Sequence, residues 1–267
     1  MLKIIVCIKQ VPDTTEVKID KETGTLIRNG IPTIINPEDK NALEAALKIK
    51  EERGAEITVI TMGPPQAKNA LYEAMAMGAD KAVLLSDAKF AGADTLSTSL
   101  TLAAAIKKYD YDLILAGRQA IDGDTAQVGP EIAEHLNIPQ ATYAKNIVIN
   151  DEKTIQVERM LDDGFEIVEY QMPILITAIK ELNTPRYMKP SLIFNVFEKE
   201  IEILKAEDLD VDLSQLGLKG SPTKVRKSRT REIGGAGEII KTNPKEAVDI
   251  LLKKLNEKKL ISSEVIS

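Results

Sequence analysis

The sequence predicts an α/β chain: a doubly wound, mainly parallel Rossmann-like sheet with a mixed or antiparallel extension and an extended C-terminal arm. Three observations carry this. β-Branched apolar runs, KIIVCIK (3–9), EITVITM (56–62), KAVLLS (81–86) and YDLILAG (111–117), alternate with helical patterns long enough for right-handed crossovers. After Pro139 the runs NIVIND, KTIQVERML, FEIVEYQ and PILITAIK follow one another with only short turns between them, so strands pair there without helices. Beyond Pro185 the compact pattern gives way to a basic stretch, KGSPTKVRKSRTR (219–231), a GGAG break (234–237) and an amphipathic helix, PKEAVDILLKKLNEKK. The division expected is an α/β domain over residues 1–183, and a docking segment with the C-terminal arm and its terminal helix over 184–267.

The elements follow in order. KIIVCIK reads as a buried parallel strand, and residues 14–35 as a hairpin in which VKID and TLIR flank KETG. Asn36 stands as an N-cap, with Pro37 at the first helical position and Asp39 three residues after the cap, opening a helix that runs to Gly54. Then come a strand to Met62, a helix from PQAKN, the strand KAVLLS and the loop DAKFAGAD. A helix from Thr95, the strand ending at Gly117, a polar loop and a helix from Thr125 complete the repeat.

Composition narrows the function. The chain has 267 residues and 43% hydrophobic content, enough for a substantial core, and no run approaches the ~18–20 apolar residues of a membrane span. MLKIIVCIKQVPD lacks a signal's long apolar region, so a cytoplasmic protein is expected. A net charge of −6 argues against nucleic acid as a partner. With one cysteine, Cys7, and one histidine, His135, neither a metal site nor a Cys/His or Ser/His/Asp catalytic set is expected, and chemistry here falls to a bound cofactor.

Ligands of open parallel sheets bind beyond the carboxyl ends of the strands, where strand order reverses. Four loops leave those ends: Cys7–Pro12 with Lys9, Met62–Pro64, Phe90–Thr95 with Gly92 and Asp94, and Gly117–Gln127; Asn36 starts its own helix beside them. GRQAIDGDTAQVGP (117–130) suits phosphate best. Gly123 removes a Cβ, Asp124 or Thr125 can cap the next helix, Thr125, Ala126, Gln127 and Val128 offer first-turn N–H donors, and Arg118 adds charge. Asp122 and Asp124 either cap turns or take ribose hydroxyls. In FAGADTLSTSLT, Asp94 caps a second helix start decorated by Thr95 and Thr98. Neither G-x-G-x-x-G nor a P-loop is present after a strand.

KQVPD (9–13), INPED (35–39), TMGPPQA (61–67), AMGAD (76–80), GRQAIDGDTAQVGP and VERMLDDGFEIVEYQMPILIT (157–177) resemble the β subunit of electron-transfer flavoprotein, over essentially the whole chain to NTPRY. The resemblance implies a heterodimer with an FAD-carrying α subunit. It also implies a nucleotide at Cys7, Asn36, Pro37, Asp39, Met62 and the span Gly117, Arg118, Gln119, Ala120, Asp122, Gly123, Asp124, Thr125, Ala126, Gln127 and Val128. Members with an F-x-G-x-D-T loop, as in FAGADT, bind FAD there rather than AMP, with Asp94, Thr95 and Thr98 near the isoalloxazine or ribityl. The implied function is electron bifurcation, NADH as transient substrate giving one electron to ferredoxin or flavodoxin and the other, through the α subunit, to a flavin-dependent dehydrogenase. The alternative is a single-flavin carrier whose β subunit binds AMP as a structural element; a nucleotide-binding regulatory module without redox function is a third reading. One departure stands out. In members that serve acyl-CoA dehydrogenases the stretch after P-R-[YF] is a basic docking segment, whereas here it is the apolar and acidic PSLIFNVFEKEIEIL (190–204), which turns the expected partner from an acyl-CoA dehydrogenase toward a hydroxy-acid dehydrogenase, such as one for lactate.

Overall fold

The computed structural model describes residues 1–13, 32–225 and 237–261. They fall in two compact units, Met1–Ser228 and Arg229–Ser267. In the first, β1 (Leu2–Cys7) leads into β2 (Gln10–Pro12), which pairs antiparallel with β3 (Thr33–Ile35). The hairpin expected at VKID-KETG-TLIR falls on 14–31, outside the described residues. Then follow α1 (Pro37–Arg53), β4 (Ala55–Met62), α2 (Lys68–Met77), β5 (Lys81–Leu85), α3 (Thr95–Ile106), β6 (Leu113–Gly117) and α4 (Val128–Leu136). Four strands succeed one another without an α-helix, β7 (Gln140–Ile149), β8 (Thr154–Met160), β9 (Phe165–Gln171) and β10 (Ile174–Ala178). A short α5 (Pro190–Ile193), β11 (Glu202–Leu204) and α6 (Gly217–Gly220) complete the unit.

Nine described strands form one sheet in the order β11-β5-β4-β1-β6-β10-β7-β8-β9. Pairing is parallel from β11 to β7 and antiparallel across β7-β8-β9, so the expected mainly parallel sheet with an antiparallel extension is what the chain adopts. The alternation within β1 explains the two layers. Ile4, Val6 and Ile8 turn to the face covered by α1 and α2, whereas Ile5 and Cys7 turn to the face covered by α3 and α4. Chain order runs from β1 outward through β4 to β5, then jumps back to β6 on β1's other side. The reversal therefore lies between β1 and β6, and the loops leaving those two strands flank a crevice of the kind in which open α/β sheets bind ligands.

Residues after Pro185 return to this unit. β11 lies parallel to β5 at the sheet edge, and the Lys189 N–H donates to the Ala76 carbonyl at 2.9 Å. Arg186 clamps the returning chain to α1: Nε and Nη2 donate to Glu44 at 2.8 and 3.0 Å, and Nη1 to Glu51 at 2.5 Å. Glu44 is buried while half of the Glu51 side chain is exposed. Removing one partner of a fully buried pair costs ~3–5 kcal/mol, and the exposed half of this network lowers the figure for Arg186→Ala to about 2 kcal/mol. Calorimetry is expected to show the midpoint falling by roughly 4–8 °C. PSLIFNVF forms no single packed helix face: Val196 is buried, but Phe194 is 82% and Phe197 69% exposed, the latter tilted on Tyr72 with ring centroids 5.0 Å apart.

The second unit contains α7 (Pro244–Glu257), where a helix was expected; Asn243 caps it by accepting from the Glu246 N–H at 3.0 Å. Residues 226–231 of the basic stretch and 234–236 of the GGAG break lie outside the described residues. Among the described residues no helix is long and apolar enough to cross a membrane.

Candidate functional site

Asp39 stitches the crevice together. One carboxylate oxygen accepts the Lys9 N–H at 2.7 Å, where the chain leaves β1; the other accepts the Gly117 N–H at 3.1 Å, where it leaves β6, and Asn36 Nδ2 at 3.0 Å. The approach explains the glycine, because a Cβ on Gly117 would lie 2.2 Å from Asp39 Oδ1 and 2.8 Å from the Asp39 nitrogen. Burial pushes the Asp39 carboxyl up to about 7, against the pull of the three donors and of Lys9. Asn36 occupies the N-cap position and Pro37 the first helical position, but the Asn36 side chain makes no cap bond. Its Nδ2 donates instead to the Gln119 carbonyl at 2.8 Å and its Oδ1 accepts the Ile121 N–H at 3.1 Å, so the expected cap is a strut for the loop after β6.

That loop, 118–127, is held by further contacts. Glu38 pairs with Arg118 at 3.0 Å and accepts the Gln119 N–H at 3.2 Å; burial raises its carboxyl and Arg118 opposes the rise. Lys9 Nζ meets Asp122 at 2.6 Å, and Gln119 Nε2 donates to Asp124 at 2.9 Å. The two aspartates that would repel phosphate are thus engaged by partners of their own. Neither Asp124 nor Thr125 caps the next helix, contrary to expectation. Asp124 and Ala126 hold positive φ values of 50° and 53°, which keep the chain out of the helix until Val128, with Gln127 at the cap position and no side-chain cap.

The consequence is a run of free donors. Among the described residues, the N–H groups of Thr125, Ala126, Gln127, Val128 and Gly129 meet no acceptor. A left-handed residue followed by a right-handed one, Ala126 then Gln127 at φ −106°, turns successive N–H groups into one concavity suited to an anion. At the start of this loop Arg118 Nε is buried without a partner among the described residues. Gly123 is open: a Cβ there would meet nothing within 4 Å, so the free chain does not require glycine at that point.

The second helix start stands beside the first. Asp94 caps α3 as expected, accepting the Ser97 N–H at 3.1 Å; Gly92 holds φ +73° before it, and Thr98 donates its N–H to the Asp94 carbonyl at 2.9 Å. Thr95 Oγ1 donates to Glu131 Oε1 at 3.2 Å, joining the first turns of α3 and α4, while Glu131 Oε2 is buried without a partner among the described residues. Cys7 is buried beneath this side of the sheet, where burial and then the Asp39 charge push its thiol up to about 12. Met62 ends β4 half-buried against the same core. No hydrogen bond among the described residues links Met62 or Gly92 to the loop 117–128. Glu131 and Tyr143 were missed from sequence. Tyr143 carries Arg118 over its ring at 5.6 Å, and its own φ of 58° belongs to a bulge that no local pattern announces.

A family model described as electron transfer flavoprotein domain matches residues 23–209. The chain belongs to the electron transfer flavoprotein family. It is 60% identical to the electron transfer flavoprotein subunit beta of Clostridium acetobutylicum, over 97% of this chain and 100% of that protein. It is 54% identical to the caffeyl-CoA reductase-Etf complex subunit CarD of Acetobacterium woodii and 45% to the acryloyl-CoA reductase electron transfer subunit gamma of Anaerotignum propionicum, each over 97% of this chain and 100% of the relative. The stretch 157–177, which resembles the signature of the flavoprotein β subunits, now has a physical account. Arg159 donates to the Thr142 carbonyl at 2.9 Å and its hydroxyl at 2.7 Å and pairs with Glu166, while Thr177 Oγ1 accepts the Tyr143 N–H at 3.1 Å. Together they hold the bulge over which Arg118 stacks.

Proposed function

We propose that this flavoprotein-family chain is the β subunit of a heterodimer, and that it binds FAD with the diphosphate on the Thr125–Val128 amides and the flavin end toward Asp94, Thr95 and Thr98. The observation that carries the reading is the run of free N–H groups before α4. Three or four charge-assisted bonds of ~1.5–3 kcal/mol each hold a nucleotide without a lysine clamp. The pairing of Thr95 with Glu131 favours FAD over AMP, since it places a second helix start next to the first, and an AMP seated at β6 would leave that start unused. Lys9, Asn36, Asp39 and Arg118 fix the shape of the crevice for the nucleotide half.

When bound, FAD would supply hydride acceptance from NADH and release of electrons one at a time, to ferredoxin or flavodoxin and to the α subunit. The residues of this chain bind and orient it; none performs acid–base chemistry. The names of two relatives, one a subunit of a caffeyl-CoA reductase-Etf complex and the other an electron transfer subunit of an acryloyl-CoA reductase, favour a CoA-thioester reductase as the dehydrogenase partner over a hydroxy-acid dehydrogenase. Exposed Tyr187, Met188, Ile193, Phe194 and Phe197 form the apolar surface on which that partner would dock.

Releasing the ligands from the native heterodimer and weighing them tests the reading: two FAD and no AMP are expected, and one FAD with one AMP would leave the single-flavin carrier. Gly123→Val separates stability from binding. Because its Cβ enters open space, the unfolding midpoint of the cofactor-free complex is expected to stay within about 1 °C, consistent with a surface change. Cofactor content is expected to fall by at least tenfold, and full retention would remove the diphosphate from this loop.

A further inference from the structure

Residues 215–223 lie across the loop that precedes α3. Gly217, at φ +57°, packs so closely that a Cβ would lie 2.1 Å from the Lys89 carbonyl oxygen, and the Leu218 N–H donates to the Ala91 carbonyl at 2.9 Å. Leu218 in turn sits where a Cβ on Gly92 would be 3.1 Å away, which leaves that loop no room to shift toward it. Ser97 Oγ donates to the Gln215 carbonyl at 3.0 Å. Ser221 Oγ accepts the Asp94 N–H at 2.8 Å and donates to the Gly217 carbonyl at 2.8 Å. Thr223 gives Asp94 Oδ2 two hydrogen bonds, from its N–H at 3.0 Å and its hydroxyl at 2.8 Å.

Asp94 therefore divides its carboxylate. Oδ1 caps α3 and Oδ2 belongs to a strap more than a hundred residues away in sequence. We infer that Ser221 and Thr223 are positioning residues for the cofactor, acting through Asp94 to fix the loop 90–95 and the N–H groups of Thr95 and Leu96, which meet no acceptor among the described residues. The inference rests on the proposal that FAD reaches that loop. It adds a specificity element that the loop motif alone does not contain: without the strap, one carboxylate oxygen and the Asp94 N–H return to solvent, and the helix start is free to rotate away from the flavin end. The strap holds the flavin half of the site; Asp39 and Asn36 hold the nucleotide half.

The test uses the heterodimer, stripped of its β-subunit cofactor and titrated with FAD. Losing the charge-assisted hydroxyl bond to Asp94 Oδ2 at a partly exposed site is expected to weaken FAD about tenfold in Thr223→Val, and losing the neutral bond from the Asp94 N–H is expected to weaken it about fivefold in Ser221→Ala. Thr223→Ser, which restores the hydroxyl, is expected within about twofold of wild type, as the retained hydrogen bond requires. The midpoint potential of the β-subunit flavin is expected to move in Thr223→Val and return in Thr223→Ser, a response that a strap serving only stability would not give. Unchanged FAD affinity and potential in both deletion variants, with FAD still present in the wild-type complex, would overturn the inference and leave the proposed function standing. A parallel loss of stability in the cofactor-free complex that the serine variant does not repair would also overturn it. Absence of FAD from the wild-type β subunit would instead overturn the proposed function, and this inference with it.

Discussion

Gly117→Ala is expected to destabilise the chain by about 3 kcal/mol and to empty the crevice, although the substitution adds one methyl group. The added carbon would stand 2.2 Å from Asp39 Oδ1, 2.8 Å from the Asp39 nitrogen and 2.9 Å from the Glu38 carbonyl carbon. Two of those three atoms are α1 backbone, which no rotamer change can move. The N-terminus of α1 must separate from the end of β6, and with it go the Gly117 bond to Asp39, the Gln119 bond to Glu38 and the Asn36 struts. A midpoint roughly 6–12 °C lower is expected for the cofactor-free protein, with loss of bound nucleotide. The contrast with Gly123→Val is the informative part. One glycine serves the fold and the other is proposed to serve only the ligand, and a midpoint unchanged by Gly117→Ala would contradict that division.

Asp39→Ala is expected to cost about 4 kcal/mol, because it strands the Lys9 N–H, the Gly117 N–H and the Asn36 amide in a buried place at ~1–3 kcal/mol each, part of which water entering the vacated space recovers. Asp39 also sets a pH dependence. Its folded carboxyl is pushed up to about 7 by burial from an ordinary value of 3.8, so the folded state binds more protons between those values. Stability from this group is fully present below about 3.8 and is lost as pH rises through about 7. Denaturant midpoints measured across that range are expected to decline for wild type relative to Asp39→Asn, which cannot titrate. A difference that grows with rising pH in the opposite sense would refute the assignment.

The sheet was legible because parallel strands buried on both faces must be apolar throughout, and KIIVCIK, EITVITM, KAVLLS and YDLILAG are. The antiparallel part was legible because NIVIND, KTIQVERML and FEIVEYQ follow one another with turns too short for crossover helices. β11 escaped notice: EIL pairs with β5 at the edge with only Leu204 buried, too little for a hydrophobic pattern. The loops proposed to form the site were legible too, since glycine, asparagine and aspartate collected after strands mark loops at the carboxyl rim.

Its construction was not. Asn36 before proline looks like any N-cap, and only the long-range approach of residues 119–121 diverts its side chain. The two left-handed residues, Asp124 and Ala126, delay α4 by three positions relative to the apolar pattern; aspartate tolerates that geometry, but alanine gives no sign of it. Asp39 reads as a first-turn acid favourable to the helix dipole, while its work is to join β1, β6 and α1. Contacts spanning eighty or more residues, such as Glu38 with Arg118 or Thr223 with Asp94, leave no local trace.

The proposed function requires the amides before α4 to grip a diphosphate. An experimental structure of the native heterodimer, with its own ligands retained, measures this most directly. Diphosphate oxygens within hydrogen-bonding distance of the Thr125–Val128 N–H groups, continuing to a flavin ring beside Thr95 and Thr98, are the predicted result. Those amides facing only water, or a ligand without phosphate, would contradict it.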